Sequence, residues 1–372
     1  MATLLETCGI SPLTGNTADQ LTVPLTFFDI PWMNFHPIRR LLFYDYPCSK
    51  AYFLETLVPK LKQSLSLTLK HYLPLSGNLL YPLNTVDEKP VFRYVAGDSV
   101  SLAIVESNND FDELVGNHAR DADQFYDFVP GMPPVKLDES NYQTVPVIAL
   151  RITLFPNRGI SIGFSNHHCV GDASSIVGFI RAWASISKLG EDEFLAMPIF
   201  DRSADIKKLK DLVLDKKPGL VQVSSFVVTV SYVWSCLVKS GEELVDDDVL
   251  ECFIFMIDLR ARISPPVPPN YFGNCLGCEK AKIEHKQLFG EEGFVIAVEA
   301  IAEEIKNKVN KKDEVLKGDK NRLSGRGESR EIRALGVSGS PKFDLCSADF
   351  GWGKVKKLEV LSIDGEKYTM SL

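Results

Sequence analysis

The chain has 372 residues, of which 45% are hydrophobic and 24% are charged, so it is long and apolar enough for two globular domains. Its net charge of −8 at pH 7 argues against a nucleic-acid partner, because binding a phosphate backbone needs a concentrated basic surface. Residues 1–22 lack the basic and apolar regions of a signal peptide and no run suits a membrane span, so we expect a soluble, cytoplasmic protein with no membrane partner.

The first half of the chain predicts one helix and one β-hairpin. Leucines at helical spacing predict a helix over 59–72, which Pro74 prevents from continuing. Apolar residues alternate over 148–154 and again over 160–164, and residues 156–159 have the composition of a turn. The second strand of this hairpin leads directly into a histidine-containing segment.

That segment, residues 166–172, has the sequence Asn-His-His-Cys-Val-Gly-Asp and joins the strand to a helix. His168 continues the apolar face of the strand, and Asp172 can cap a helix that has Ile176 and Trp183 on one side. An imidazole held at such a junction can act as a general base. The alternative from these residues alone is a core histidine that hydrogen-bonds to the backbone.

The second half of the chain follows a lysine-rich junction. Lysines are concentrated over 207–217, where the apolar pattern lapses, and we place the domain junction there. The segment 226–237 suits a helix or, because of its many valines, a strand. Residues 250–258 predict a strand, 294–309 a helix, and 311–333 a charged surface loop.

The eight cysteines are scattered along the chain, which is typical of reduced thiols in a large cytosolic protein. Cys275 and Cys278 have the spacing of half a zinc site, but no second Cys or His pair follows at a suitable distance. We therefore expect no disulfide and no bound metal.

Three segments together resemble the plant BAHD acyltransferases. Residues 168–172 match the His-x-x-x-Asp motif of that family, 349–353 match its Asp-Phe-Gly-Trp-Gly motif, and 271–275 read Tyr-Phe-Gly-Asn-Cys. Residues 25–29 and 258–262 also look like the family, so the resemblance covers nearly the whole chain. It is closest to the branch that malonylates anthocyanins and phenolic glucosides.

The resemblance implies an α/β fold with two chloramphenicol-acetyltransferase-like domains, whose mixed sheets are flanked by helices and which have an active-site channel between them. It also favours the helix for 226–237. We expect an N-terminal domain with the histidine motif at 1–203, a shortened crossover at 204–223, and a C-terminal domain with the motifs at 271–275 and 349–353 over 224–372. Compared with the family, the crossover and the C-terminus look shortened. A catalytically impaired remnant is therefore the alternative to an active enzyme.

The chemistry implied by the resemblance is acyl transfer from an acyl-CoA co-substrate to a hydroxyl of a small phenolic or flavonoid glucoside, by a monomer without a bound cofactor. His168 is the expected general base. A Ser-His-Asp triad is the competing interpretation of His168 and Asp172. In the family, however, the aspartate is turned away from the imidazole, and we expect Asp172 to pair with Arg260 or Arg262.

The remaining site residues follow from the same resemblance. Relatives that transfer aromatic acyl groups have a tryptophan upstream of the 349–353 motif, whereas this chain has Ser-Gly-Ser-Pro-Lys at 338–342, which favours malonyl. Against malonyl, Ile176 stands where some pigment malonyltransferases have arginine. The expected roles are: Ser338 and Ser340 in the oxyanion and acyl pocket, Lys207, Lys208, Ser224 and Ser225 at coenzyme A, Phe35 and His36 with nearby Arg40 at the acceptor, and Asp349, Gly351, Trp352 and Gly353 in structural support.

Overall fold

A computed structural model describes most of the chain. The described residues are 2–13, 19–26, 29–33, 35–83, 89–137, 142–190, 213–214, 216–217, 224–240, 245–262, 266–267, 271–310, 332–338, 344–361 and 369–371. Their contacts divide the chain into two compact units. The first unit comprises Met1–Met197, Phe272–Asn274 and Pro341–Asp364, and the second comprises Pro198–Tyr271, Cys275–Ser340 and Gly365–Leu372.

The described residues form strands and helices in both units. The strands are β1 (Ala2–Ile10), β2 (Gln20–Pro24), β3 (Ile38–Tyr44), β4 (Asn78–Pro82), β5 (Val91–Val95), β6 (Val100–Ser107), β7 (Lys136–Leu137), β8 (Tyr142–Pro146), β9 (Ile148–Phe155), β10 (Gly159–Asn166), β11 (Leu250–Asp258), β12 (Leu276–Glu284), β13 (Ile332–Ser338), β14 (Lys357–Val360) and β15 (Thr369–Ser371). The helices are α1 (Lys50–Tyr52), α2 (Val58–Leu69), α3 (Leu73–Ser76), α4 (Phe111–Val115), α5 (Ala173–Leu189), α6 (Ser225–Ser240), α7 (His285–Phe289) and α8 (Gly293–Asn310). A π-helical turn, Phe53–Leu57, connects α1 to α2, and 3₁₀ turns occur at Ile30–Trp32, Ala122–Phe128, His168–Val170 and Leu345–Ser347.

The main sheet of the first unit has the strand order β1-β6-β9-β10-β3-β14 among the described residues. The predicted hairpin is confirmed, since β9 and β10 are antiparallel neighbours with Ile152 opposite Ile162. One face of the sheet packs on α2 and α5 through a buried apolar cluster, and the indole of Trp183 also donates to the carbonyl oxygen of Leu61 at 3.2 Å. The opposite face of this sheet is also covered, because Leu41 and Phe43 of β3 lie in a second buried cluster on that side.

A smaller sheet of the first unit has the order β2-β5-β4-β8-β7. In the second unit the described strands have the order β12-β11-β13-β15, where β11 is antiparallel to β12 and parallel to β13. The α/β class with mixed sheets is thus confirmed. The segment 226–237 is helical, within α6, and the helix predicted at 294–309 is α8.

The predicted surface loop at 311–333 lies outside the described residues, except that Ile332 and Arg333 begin β13. The loop prediction therefore extended two residues too far. The pattern of 332–338 failed as a strand signal because Arg333 and two glycine or serine positions interrupt its apolar residues.

The grouping of the chain differs from the expected domain division at two motifs. Residues 1–203, 204–223 and 224–372 were expected to be the N-terminal domain, the crossover and the C-terminal domain, yet the segments Phe272–Asn274 and Pro341–Asp364 group with the first unit. The physical reason is that β14 hydrogen-bonds to β3 as the outermost strand on that side of the sheet, and that Phe350 is buried in the first unit's core. A division by chain order cannot anticipate such a return. The rest of that division stays a prediction.

In the part of the chain that is described, no helix has both the length and the apolarity to cross a membrane. Nor do the described residues contain a cluster of three His, Cys, Asp or Glu side chains that could hold a metal ion.

Candidate active site

His168 lies where the central strand β10 ends. The backbone continues the sheet for one residue beyond the strand, because the amide of His167 donates to the carbonyl of Val147 at 2.8 Å. A 3₁₀ turn, His168–Val170, then reverses the chain, and α5 begins after Asp172. The side chain of His167 lies against the same turn, with its Nδ1 3.0 Å from the Sγ of Cys169. The histidine predicted from the motif is therefore presented by a turn between a buried strand and a long helix.

Two aromatic rings fix the imidazole of His168. The indole of Trp32 stacks on it with ring centroids 3.9 Å apart and planes 14° apart. The ring of Phe35 meets it edge-on, at 5.6 Å and 81°. The Nδ1 atom of His168 is buried and has no hydrogen-bond partner in the described part of the chain. These contacts restrict the orientation of the ring, which a general base requires.

The surroundings of His168 keep it neutral. Burial lowers the pKa of its imidazole from 6.5 to about 4, and the charge of Arg40 and the neighbouring His167 act in the same direction. The charge of Asp172 and the backbone of His168 itself oppose the shift. Desolvation dominates because the charged imidazolium loses more hydration than the neutral ring. At neutral pH the ring is therefore in the form that can accept a proton.

Asn274 and Asp29 tie the His168 turn to two distant parts of the chain. The side-chain Nδ2 of Asn274 donates to the carbonyl oxygens of His168 and Cys169, at 3.0 and 3.1 Å. The same amide donates to the Asp29 carboxylate at 2.9 Å, and the backbone amide of Asn274 does so at 3.2 Å. Asn274 is fully buried and Asp29 nearly so. Asn274 thus adds a side-chain donor to the carbonyls of this turn, where that of His168 also accepts from the amide of Gly171 at 3.3 Å.

Asp172 caps the helix that follows the motif. Its carboxylate accepts from the amide and the hydroxyl of Ser175, both at 3.2 Å, and it is buried. The Ser175 hydroxyl in turn accepts from the amide of Gly273 at 3.0 Å. In the second unit, the guanidinium of Arg260 lies 3.3 Å from the Asp258 carboxylate, and Arg262 donates to the carbonyl of Asp258. The expected pairing of Asp172 with one of these arginines stays a prediction.

The motif at 349–353 forms a tight turn. Asp349 Oδ1 accepts from the amides of Gly351 and Gly353, at 2.8 and 3.0 Å, and Oδ2 pairs with Lys188 at 2.7 Å. Although burial opposes it, these hydrogen bonds lower the pKa of Asp349. Both glycines have positive φ, 92° and 88°, which side chains disfavour. Phe350 is buried edge-on against Trp183 with centroids 4.9 Å apart.

The other predicted site residues are only partly described. Ser340, Lys207 and Lys208 lie outside the described residues, and the side chains of Ser338, at the end of β13, and Ser225, at the start of α6, are not described. Ser224 caps α6 by accepting from the amide of Val227 at 3.2 Å. Phe35 and His36 are exposed and stack on each other at 4.2 Å, so of this pair it is Phe35 that contacts the His168 ring.

Three residues of the site were missed by sequence reasoning: Trp32, Asp29 and Asn274. Asp29 and Asn274 belong to segments that carried the family resemblance, but neither position was assigned a role. Trp32 lies in a short 3₁₀ turn with no periodicity, so nothing in the sequence marks it as a ring neighbour of His168.

Comparison with known proteins places the chain in a family. A family model described as the transferase family matches residues 6–204 and 199–367. An anthocyanin 5-O-glucoside-6'''-O-malonyltransferase of Salvia splendens is 49% identical over 419 aligned positions, which cover 100% of this chain and 88% of that protein. Phenolic glucoside malonyltransferase 1 of Nicotiana tabacum is 43% identical and covers 98% of this chain and 91% of that protein. The Salvia alignment is longer than the 372-residue chain, so that relative has residues without a counterpart here.

Solved structures show the same fold. Vinorine synthase superposes with a TM-score of 0.66 over 97% of this chain and 88% of that chain, at 19% identity. TRI101 of F. sporotrichioides, solved with coenzyme A and T-2, gives a TM-score of 0.67 over 94% of this chain and 91% of that chain, at 13% identity. The expected chloramphenicol-acetyltransferase-like fold is thereby confirmed, and these comparisons give no support to the impaired remnant. The chain belongs to the transferase family of BAHD type and is an acyl-CoA-dependent acyltransferase with a small-molecule acceptor.

Proposed function

We propose that this acyltransferase moves a malonyl group from malonyl-CoA to a hydroxyl of a phenolic or flavonoid glucoside, with His168 as the general base. Support for the donor and acceptor comes from the Salvia and Nicotiana relatives, which are named as malonyltransferases of anthocyanin and phenolic glucosides. The observation that carries the mechanism is the neutral, oriented imidazole of His168, whose pKa burial lowers to about 4.

The reaction needs one proton acceptor at the attacking hydroxyl. Because Nδ1 of His168 is buried, Nε2 is the nitrogen that would take the proton from the acceptor oxygen. The oxygen then forms a bond to the thioester carbonyl carbon and gives a tetrahedral oxyanion. As that intermediate collapses, the carbon–sulfur bond breaks and the imidazolium of His168 returns its proton to the leaving thiolate. The products are the malonyl ester and free coenzyme A.

The supporting residues act on the turn that holds the base. Asn274 and Asp29 hold the backbone of that turn, and Asp172 anchors the helix behind it through Ser175. This capping role favours Asp172 as a structural residue over a triad member. The 349–353 turn is likewise proposed to be structural, because the carboxylate of Asp349 accepts hydrogen bonds from Gly351, Gly353 and Lys188.

An aromatic acceptor suits the surface beside His168. Phe35 is 37% exposed while its ring touches the imidazole, so a phenolic ring can pack on it next to the base. His36 extends this surface by stacking on Phe35. The oxyanion and acyl roles of Ser338 and Ser340 and the coenzyme A roles of Lys207, Lys208, Ser224 and Ser225 stay predictions. So do a monomeric state and a cytoplasmic location.

The donor is tested by kinetics on the purified full chain. We expect kcat/KM for malonyl-CoA to exceed that for coumaroyl-CoA with the same phenolic glucoside acceptor. The comparison of the two donors is informative because this chain also resembles a coumaroyltransferase of Arabidopsis thaliana, at 30% identity. A preference for coumaroyl-CoA would refute the malonyl assignment. No turnover with any donor, together with no thermal stabilisation by coenzyme A, would instead favour the impaired remnant.

A further inference from the structure

The carboxylate of Asp29 divides its two oxygens between two segments of the chain. Its Oδ2 atom accepts from the backbone amide of Thr26 at 2.8 Å and from the hydroxyl of the same residue at 2.6 Å. Its Oδ1 atom accepts from the backbone and side-chain amides of Asn274, at 3.2 and 2.9 Å. Asp29 is buried, and a buried carboxylate is costly unless donors surround it. Asp29 therefore fixes its own turn relative to Asn274.

The turn that Asp29 closes carries the two aromatic rings at His168. The amide of Asp29 donates to the carbonyl of Thr26 at 3.0 Å, and the Thr26 amide donates back to the Asp29 carboxylate. Along the same segment, the amide of Trp32 donates to the carbonyl of Asp29 at 3.0 Å, and that of Phe35 to the carbonyl of Trp32 at 3.2 Å. The Trp32 and Phe35 rings also meet edge-on, with centroids 5.4 Å apart. The position of both rings thus depends on the turn that Asp29 closes.

The same carboxylate is connected to the backbone of His168. Asn274, which Oδ1 of Asp29 holds, donates from Nδ2 to the carbonyl oxygens of His168 and Cys169. On the other side of Asp29, the indole of Trp32 stacks on the imidazole at 3.9 Å. Asp29 is thereby linked to the ring of His168 through Trp32 and to its backbone through Asn274.

We propose that Asp29 is a positioning residue that holds the Trp32 ring against the imidazole of His168 and so keeps the imidazole desolvated. This inference rests on the proposed role of His168 as the general base, and it extends the role of Asp29 from the backbone of the turn to the surroundings of the ring. Asp29 itself takes no part in proton transfer, because both of its oxygens accept from Thr26 and Asn274.

The test measures the pKa of His168 by NMR titration of the histidine rings in the full chain. The chain has six histidines, and the signal of His168 is identified by its absence from His168→Ala. Asp29→Asn keeps the shape of the side chain but replaces one acceptor oxygen by a donor, which opposes the donors of Thr26 or Asn274. We expect water to reach the imidazole in this variant and its pKa to rise by about 1 or more from the wild-type value.

The direction of the change separates packing from charge. Removing the negative charge of Asp29 would by itself destabilise the imidazolium and lower the pKa of His168. A rise therefore reports the loosened rings. The groups whose charges act on His168 are Arg40, His167 and Asp172, and Asp29→Asn leaves all three in place.

Trp32→Ala shows whether Asp29 acts through the indole. This variant should raise the pKa of His168 at least as far as Asp29→Asn does, and the double variant should raise it no further. Should Asp29→Asn fail to fold, Thr26→Val removes only the hydroxyl donor to Oδ2 and should also raise the pKa. Thr26→Ser, the matched control, keeps that hydroxyl and should retain the wild-type value.

The titration decides the proposal separately from the proposed function, because it uses no substrate. An unchanged or lowered pKa of His168 in folded Asp29→Asn, or in Thr26→Val where that variant replaces it, would overturn the role of Asp29. So would a further rise on adding Asp29→Asn to Trp32→Ala, or no rise in Trp32→Ala itself. Full turnover by folded His168→Ala would instead refute the general base, whatever the titrations show.

Discussion

At the scale of single residues, the site depends on the desolvation of one imidazole, that of His168, whose Nδ1 has no hydrogen-bond partner among the described residues. Stacking on Trp32 and contact with Phe35 remove water from the His168 ring, and its Nδ1 is buried. The charge of Asp172, whose carboxylate accepts two hydrogen bonds from Ser175, opposes the downward shift in the pKa of His168, but burial outweighs it. The lowered pKa means that the ring stays neutral, in the form that can accept a proton, over a wide pH range.

The dependence of kcat/KM on pH, on the acid side, should reveal the desolvated environment of His168. His168 must be neutral to act as the proposed general base, and since burial lowers its pKa from 6.5 to about 4, kcat/KM should stay level from neutral pH down to about pH 5 and fall near pH 4. Trp32→Ala admits water to the ring of His168, which should raise its pKa. The pH at which kcat/KM falls should then move toward 6.5. If kcat/KM of the wild-type protein already falls at pH 6.5 while the protein remains folded, His168 is not a desolvated base.

At the scale of elements, sequence patterns predicted the features that depend only on residues close together in the chain. The β9–β10 hairpin, the helix α5 with its Asp172 cap and the turn carrying His168 follow from alternation, turn residues and capping preferences. The ties made by Asn274 could not be predicted in this way, because they join residues 105 and 245 positions apart. The same holds for Phe350, whose place in the first unit depends on tertiary burial.

Removing the Asn274 side chain should loosen the catalytic turn. Asn274→Ala leaves the carbonyl oxygens of His168 and Cys169 and the carboxylate of Asp29 without this donor, which should cost ~1–3 kcal/mol in the free energy of unfolding. Because the turn positions the base, kcat should fall more than KM rises. Urea unfolding and steady-state kinetics measure the two effects.

Asp29→Ala supplies the control for this network. If Asn274 and Asp29 act as one unit, the double variant should lose less stability than the two single losses combined, with a coupling of ~0.5–3 kcal/mol. Strict additivity would mean that the two residues stabilise the protein independently and that no shared tie holds the turn.

At the scale of the whole molecule, the turn that carries His168 and the segments that hydrogen-bond to it belong to one compact unit. That unit takes in Phe272–Asn274 and Pro341–Asp364 from late in the chain, so its fold is completed only after most of the second unit's sequence has been made. A division by chain order did not include these returns, because the edge of a sheet can be paired, and a buried aromatic position occupied, by a segment from any part of the chain. The first unit therefore combines residues from both halves of the sequence.

The central claim is that His168 is the general base of an acyltransferase, and one measurement tests it most directly. Acyl transfer from malonyl-CoA is compared for the wild-type chain, His168→Ala and the neighbouring control His167→Ala, with thermal melts of all three. We expect His168→Ala to lose ~10²–10⁴-fold in kcat while its melting temperature stays close to that of the wild type. His167→Ala, which lacks a side chain packed on Cys169, should retain most of its rate. Full turnover by a well-folded His168→Ala protein would contradict the assignment.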